Sequence, residues 1–301
     1  EVVRFFMNKK SEVTVILNIY NRLSNLSKQI EAVNSQSIKP ASLLIWHNKG
    51  DQEFPKEFLT KAQVSQNNFN YGVWARFAFA LNAKTEYICV FDDDTIPGKK
   101  WLENCLITMQ FSEGLLGARG LRFRSKNRYT PNFDYGWNNP SNEIHKVDIV
   151  GHSWFFKREW LSTFWRELPP KDFSIIAGED IHFSYTLQKY LGLGTYVPPH
   201  PENNLELWGS QPDIAYEIGN DLEAISRKDD SILRFNKALK YYTKKGFRLY
   251  MEEKESSKKE LIIGEGLSSI IFFKRLLRKY KWLHNLALKL NNKLKKAGIY
   301  L

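Results

Sequence analysis

The sequence predicts an α/β protein: a central, mostly parallel sheet flanked by helices, followed by a basic amphipathic helical tail. Three observations predict it. Short apolar or β-branched runs alternate with segments of helical periodicity through the N-terminal part of the chain. Three consecutive carboxylates, Asp92, Asp93 and Asp94, stand directly behind the third apolar run. Nine of the net eleven positive charges fall within residues 270–297, which contain no Asp or Glu.

Taken in order, Val13–Leu17 is a buried strand by its β-branched run. Residues Ser24–Gln36 carry Leu26, Ile30 and Val33 at helical spacing. Leu43–Trp46 is a second strand, ending at His47-Asn48-Lys49-Gly50-Asp51. Asn70–Ala83 reads as a helix that delivers the chain to a third strand, Tyr87–Phe91. This order requires right-handed crossovers and parallel strands. Ligands of such sheets bind beyond the carboxyl ends of the strands, where Asn18, His47 and Asp92 begin their loops. Pro97-Gly98 turn the chain away, and Trp101–Phe111 is predicted helical. Leu115–Phe123 and Lys146–Phe156 read as strands flanking a polar, aromatic loop, Asn127–Asn142. Glu179-Asp180 open a helix that runs to about Tyr190 and stops near Gly192 and Gly194. Pro198-Pro199-His200-Pro201 cannot be regular structure.

The chain of 301 residues is long enough for one large domain, expected over 1–250, and an appendage over 251–301. A hydrophobic content of 43% with 20 Phe, 14 Tyr and 9 Trp supplies the core. No apolar stretch approaches the roughly 20 residues a bilayer span needs, and no secretory signal is visible at Glu1-Val2-Val3-Arg4. Cys89 and Cys105 give no disulfide framework and read as buried thiols of a reducing compartment.

In the tail, Ile270, Phe273, Leu277, Tyr280, Leu283, Ala287, Leu290 and Leu294 recur at spacings of three or four. This apolar stripe beside a basic face reads as a helix lying on an anionic membrane surface, each cation contributing on the order of 1 kcal/mol. The other reading is packing on the catalytic body or on a second copy of the chain. Nucleic acid is not an expected partner, since no recognised module accompanies the charge.

Carboxylates as close as those at 92–94 repel one another by about 4 kcal/mol at 4 Å and an effective dielectric of 20. A divalent cation would relieve the repulsion and bridge a phosphate-bearing substrate. A solvated acidic turn is the competing reading of the triplet taken alone.

With these pieces placed, the chain resembles a GT-A glycosyltransferase. The general family-2 pattern appears as Val15-Ile-Leu-Asn-Ile-Tyr-Asn-Arg22, Asn70-Tyr-Gly-Val-Trp-Ala-Arg76, the acids at 92–94, and Glu179-Asp180 as the late acidic motif. Ile45-Trp46-His47-Asn48, Asp92-Asp93-Asp94-Thr95, Gly151-His-Ser-Trp-Phe-Phe156 and Glu179-Asp180-Ile181 are closer to exostosin-type transferases. The resemblance covers about residues 12–200. It departs at His47, where family-2 enzymes commonly place an acid that helps hold the nucleobase, so the base stays open. The late Arg-containing donor segment has no clear match, with Arg227 as its candidate.

The resemblance implies Asp94 as metal ligand for Mn²⁺ or Mg²⁺, with Asp92 and Asp93 on the ribose or assisting the metal. It places Tyr20, Asn21 and Arg22 on the nucleobase. Arg76 would bind base or diphosphate, or else form a surface salt bridge. Asn48 would hold the base in place of the acid that His47 replaces. Asp180 would be the general base of an inverting enzyme, or would stabilise positive charge at the anomeric carbon of a retaining one. Its plain alternative is a carboxylate favoured by a helix N-terminus. Glu179 would orient sugar or acceptor, His152 would line the donor wall, and His200 would complete the metal site. His182 has no evident partner, and Trp137 and Trp208 stack on sugars or belong to the core.

The expected activity is transfer of a hexosyl or N-acetylhexosaminyl unit from a nucleotide-sugar donor, with uridine the expected base, onto a glycan or lipid-linked glycan acceptor. Membrane attachment would put it at the inner face of the membrane, in cell-surface polysaccharide assembly. A sugar nucleotidyltransferase is the rival enzyme, but Asn18–Arg22 supplies none of the glycines of its phosphate loop. A non-catalytic carbohydrate- or membrane-binding module would have no use for the acids.

Overall fold

A computed structural model describes residues 12–136, 138–213, 217 and 230–253. The tail beyond residue 253, Trp137 and Arg227 lie outside the described residues. Among those described, no helix is long and apolar enough to cross a membrane.

Eight strands form the central sheet, and six of them run in one direction. They are β1 (Val13–Ile19), β2 (Ser42–His47), β3 (Gln63–Gln66), β4 (Tyr87–Asp92), β5 (Gly114–Leu116), β8 (His145–Val147), β10 (Ser153–Lys157) and β11 (Gly194–Val197), in the order β3-β2-β1-β4-β10-β5-β11-β8. The order of β3 to β4 is the parallel half that the alternating periodicity predicts. Every residue of β1 is buried, which is why its sequence is an unbroken apolar run apart from Thr14 and Asn18. Thr14 satisfies its hydroxyl against Ser42 at 2.9 Å and Thr85 at 2.7 Å.

Strand β10 is antiparallel to β4, in register Ser153 with Phe91 through Lys157 with Tyr87. Its first residue therefore lies at the edge from which the acids leave β4. A second sheet, β7-β6-β9, is made of β6 (Arg119–Phe123), β7 (Asn132–Gly136) and β9 (Ile149–Gly151). The two long strands expected at 115–123 and 146–156 are thus each broken between the two sheets. The expected loop at 127–142 contains β7.

The helices are α1 (Leu26–Asn34), α2 (Ala75–Phe79), α3 (Trp101–Phe111), α4 (Leu161–Phe164), α5 (Glu179–Leu191), α6 (Ser231–Lys244) and α7 (Tyr250–Glu253). The helix expected over 70–83 is shorter: Asn70–Gly72 is loop, and α2 closes in a 3-10 turn at Ala80–Asn82. Glycines bound α5 at both ends, Gly178 at φ 91° and Gly192 at φ 67°, a left-handed conformation that glycine adopts without Cβ strain. One large core runs along the central sheet, with Cys89 and Cys105 as buried free thiols within it. A smaller core joins Leu121, Phe123 and Ile149 of the second sheet to Ile181 and Tyr185 of α5 and Leu239 and Tyr242 of α6.

Candidate active site

The acid loop leaves β4 at Asp92, and its backbone is held by amide side chains from the α1 region. Gln29 Nε2 donates to the carbonyls of Asp92 at 2.7 Å and Thr95 at 3.0 Å. Asn25 Nδ2 donates to the Asp93 carbonyl at 3.1 Å, and Gln36 Nε2 to that of Gly98 at 2.8 Å. Buried carbonyls need such donors, and Gln29 of α1, Asn25 of the 3-10 turn before it and Gln36 beyond its end supply them here instead of a sheet partner. In the sequence, positions 25, 29 and 36 fall at helical spacing within the stretch 24–36 read for its apolar residues, and that polar spacing is the signal that could have found them.

Two arginines divide the carboxylates of the site. Arg22 Nη1 donates to Asp93 Oδ1 at 2.6 Å and lies 3.4 Å from Asp94 Oδ2. The Tyr20 amide adds a hydrogen bond to Asp93 Oδ2 at 3.2 Å. Arg76 is 2% exposed; its Nη1 is paired with Asp92 Oδ1 and its Nη2 with Glu179 Oε1 at 2.6 Å. Its guanidinium carbon stands 4.0 Å from the centre of the Trp154 ring. Among the described residues Asp94 has only long contacts: Arg22 Nη1 at 3.4 Å, Thr95 Oγ1 at 3.4 Å and His152 Nδ1 at 3.8 Å. Among the described residues Asp180 has no ion-pair partner, and its Oδ1 accepts from the amide of Ile181 at 2.7 Å.

The electrostatics follow from this partition. Burial first, and the Glu179 charge second, push the Asp180 carboxyl above its ordinary value. Burial also raises Asp92 and Glu179 against the opposing pull of Arg76, since the two share one guanidinium. Burial lowers His152, whose backbone has a φ of 62°, a left-handed conformation uncommon outside glycine. Its carbonyl accepts from the Asp92 amide at 3.1 Å and from Thr95 Oγ1 at 2.9 Å, so this kink between β9 and β10 is welded to the acid loop.

The structure gives several of these residues partners that the sequence did not indicate. Arg22, expected on the nucleobase, is turned onto Asp93 and Asp94. Arg76 is not on the surface: it is buried, with Nη1 on Asp92 and Nη2 on Glu179. Asn48 is buried, with Oδ1 accepting from Trp46 Nε1 and the Tyr71 amide and Nδ2 donating to Gly72, so it shapes the loop instead of facing a base. His200 is 1% exposed; one ring nitrogen is bonded to the Pro198 carbonyl and the other accepts from the Gly209 amide. No lone pair is left for a metal. Trp208, stacked edgewise on His200, is core. His182 bridges Tyr242 Oη at 2.8 Å and the Phe164 carbonyl at 2.7 Å, and burial brings it down to about 4, a neutral structural residue.

Asn21 Oδ1 accepts from the Asp51 amide at 3.1 Å, which joins the loops after β1 and β2. Among the described residues no three His, Cys, Asp or Glu side chains form a metal cage. The oxygen donors at Asp94 and Asp92 still fit Mn²⁺ or Mg²⁺, since Mg²⁺ is usually held by one or two carboxylates together with substrate phosphates.

Several solved structures are similar to this chain. S. aureus TarS 1-349 in complex with UDP-GlcNAc is similar at 15% identity and TM-score 0.45, over 83% of this chain and 77% of that one. The mannosyltransferase PcManGT from Pyrobaculum calidifontis, in complex with GDP-Man and Mn²⁺, is similar at 14% identity and TM-score 0.45, over 96% of this chain and 89% of its own. A longer S. aureus TarS chain, at 15% identity and TM-score 0.45, is matched over 83% of this chain and 46% of its own length, so this chain spans less than half of it. No curated protein matches the chain. The closer likeness to exostosin-type transferases finds no counterpart in these matches. The family model for glycosyl transferase family 2 matches residues 14–167, more than half of the 301, and the chain belongs to that family.

Proposed function

We propose that the protein is a metal-dependent glycosyltransferase that moves a hexosyl or N-acetylhexosaminyl unit from a nucleoside-diphosphate sugar, with uridine the expected base, to a glycan acceptor. One observation carries this reading. Of the acids at the sheet edge, Asp92, Asp93 and Glu179 are held at short range by Arg76 and Arg22, whereas Asp94 keeps only a 3.4 Å contact to Arg22 and Asp180 has no ion-pair partner among the described residues. A binding module has no reason to keep two such groups, and they match the two tasks of transfer.

Asp94 and Asp92 would hold Mn²⁺ or Mg²⁺, which would neutralise charge on the departing nucleoside diphosphate. Asp180, with Oδ1 held by its own helix, is free at Oδ2 to take the proton of an acceptor hydroxyl. Its raised pKa brings it closer to the operating pH, where a general base works best. Asp92, Asp93 and Glu179 orient the groups around it, and His152 borders the donor side. Tyr20 and Asn21 border the base.

A thermal-shift screen of UDP- and GDP-sugars with and without Mn²⁺ tests the reading. The expected outcome is a donor that stabilises only with metal, a shift lost in Asp94→Asn. Asp180→Asn keeps the shift and loses transfer by about 10²–10⁴-fold. Full transfer by either variant, or no metal-dependent donor, sinks it. The apolar stripe and basic face of the tail support attachment to the inner membrane face and a lipid-linked acceptor of cell-surface polysaccharide assembly. Removal of residues 266–301 is expected to weaken binding to anionic vesicles more than transfer to a soluble acceptor. Unfolding on removal means that the stripe packs on protein, in this copy or another.

A further inference from the structure

We propose that Arg76 is a positioning residue of the transfer reaction, a strut that fixes the helix bearing Glu179 and Asp180 to the acid loop at the end of β4. The proposal rests on the transferase reading of that site. The guanidinium reaches two carboxylates far apart in sequence, Asp92 at the close of β4 and Glu179 in the first turn of α5. A planar fork can hold two oxygen acceptors at a fixed separation, which a lysine cannot. Trp154, on the neighbouring strand β10, stacks on the guanidinium at 4.0 Å, and Phe77 lies at 5.6 Å. At 2% exposure the side chain has no face left for a nucleotide.

Arg76 is the last of three rungs. The Val73 amide donates to the Ile175 carbonyl at 2.8 Å, and Trp74 Nε1 donates to the Ala177 carbonyl at 3.2 Å. Arg76 then takes Glu179 at 2.6 Å. Residues 73, 74 and 76 thus bind 175, 177 and 179 in parallel order, like a zip closed over the segment that enters α5. Gly72 permits the approach: a Cβ there would lie 2.0 Å from the Ile175 carbonyl oxygen, and its φ is +72°. At the far end of the zip Gly178, at φ +91°, turns the chain into α5, so the placement of Asp180 is inherited from these rungs. The motif read in the sequence as a nucleotide contact is on this geometry a clamp between donor acids and reaction acid. An error of about 1 Å in a reacting group costs on the order of 10²-fold in rate, which is the leverage such a strut has.

The test uses Arg76→Lys and Glu179→Gln, which cut the strut at opposite ends, on the full chain. Hydrogen–deuterium exchange reads the amides of residues 175–183, and calorimetry reads the affinity for UDP or GDP with Mn²⁺. The expected result in both variants is exchange at 175–183 faster by about tenfold, with the rest of the chain unchanged. Nucleotide affinity stays at the wild-type value, and kcat falls by about 10²-fold with little change in donor KM. Unchanged exchange in both variants overturns the proposal, as does loss of nucleotide affinity with kcat intact, which would make Arg76 a ligand contact. If the wild type neither binds a nucleotide with Mn²⁺ nor transfers sugar, the transferase reading fails, and the exchange result still decides whether the strut exists.

Discussion

Among the described residues Asp180 has no ion-pair partner and Asp94 only the 3.4 Å contact to Arg22, unlike the acids beside them. That difference sets a pH dependence. A base whose pKa is raised above the ordinary aspartate value of about 3.9 is protonated over a wider acid range. Transfer is therefore expected to rise with pH along an acid limb well above that value. A rate profile flat from about pH 4.5 to 8 would remove Asp180 from the base role. In the sequence Asp94 stood out as one of three acids behind an apolar run, while Asp180 was singled out through the resemblance to the family's late acidic motif. The partners of Arg22, Arg76, Asn48 and His200 were not legible there. Each is a polar side chain whose task depends on which element folds against it, and nothing in local spacing records that.

At the scale of elements, α1 does more than cover the sheet. Gln29 within it, with Asn25 before it and Gln36 beyond it, is the mould for the acid loop, and Gln29 alone serves two carbonyls of it. Gln29→Met keeps the volume and leaves both carbonyls unpaired, so a loss of about 1–3 kcal/mol is expected in urea unfolding. Sugar transfer should fall more than that loss of folded protein explains, since the carbonyl of Asp92 is one of the two. Strands β1, β2 and β4 were readable because burial on both faces forces continuous apolar runs. β3 and β7 were not: β3 is a four-residue edge strand with partly exposed positions, and β7 is polar and half-buried. Helix α6 did carry a signal, with Ala238, Leu239 and Tyr242 on its buried face, but a basic and aromatic sequence around them hid it.

In the whole described body, the second core is locked by Glu167. Its carboxylate accepts from Lys189 at 2.6 Å, Tyr185 at 3.1 Å and Tyr190 at 2.5 Å, and from Lys245 at 2.9 Å, drawing α5 and the end of α6 together. Burial opposes ionisation, but the hydrogen bonds from Lys189, Tyr190, Lys245 and Tyr185 hold the carboxyl well below the usual range. A depressed carboxylate contributes stability that is complete above its unfolded pKa of about 4.3 and is lost as pH falls toward the folded value. Glu167→Gln is thus expected to cost about 1–3 kcal/mol at pH 7, nearer the lower figure because both lysines are partly exposed. The gap in Tm from wild type should narrow below about pH 4; a gap independent of pH would mean that the charge is not the cause. This hub was invisible in the sequence, where its members are scattered between residues 167 and 245. The parallel half of the sheet, by contrast, was legible from order alone. Because β10 runs against β4, the acids that end β4 and the start of β10 share one rim of the sheet. The opposite rim, with the turns at residues 83–86 and 112–113, carries none of the chemistry. Peptide tags and crosslinkers belong there, and sequence drift among descendants of this chain should collect there first.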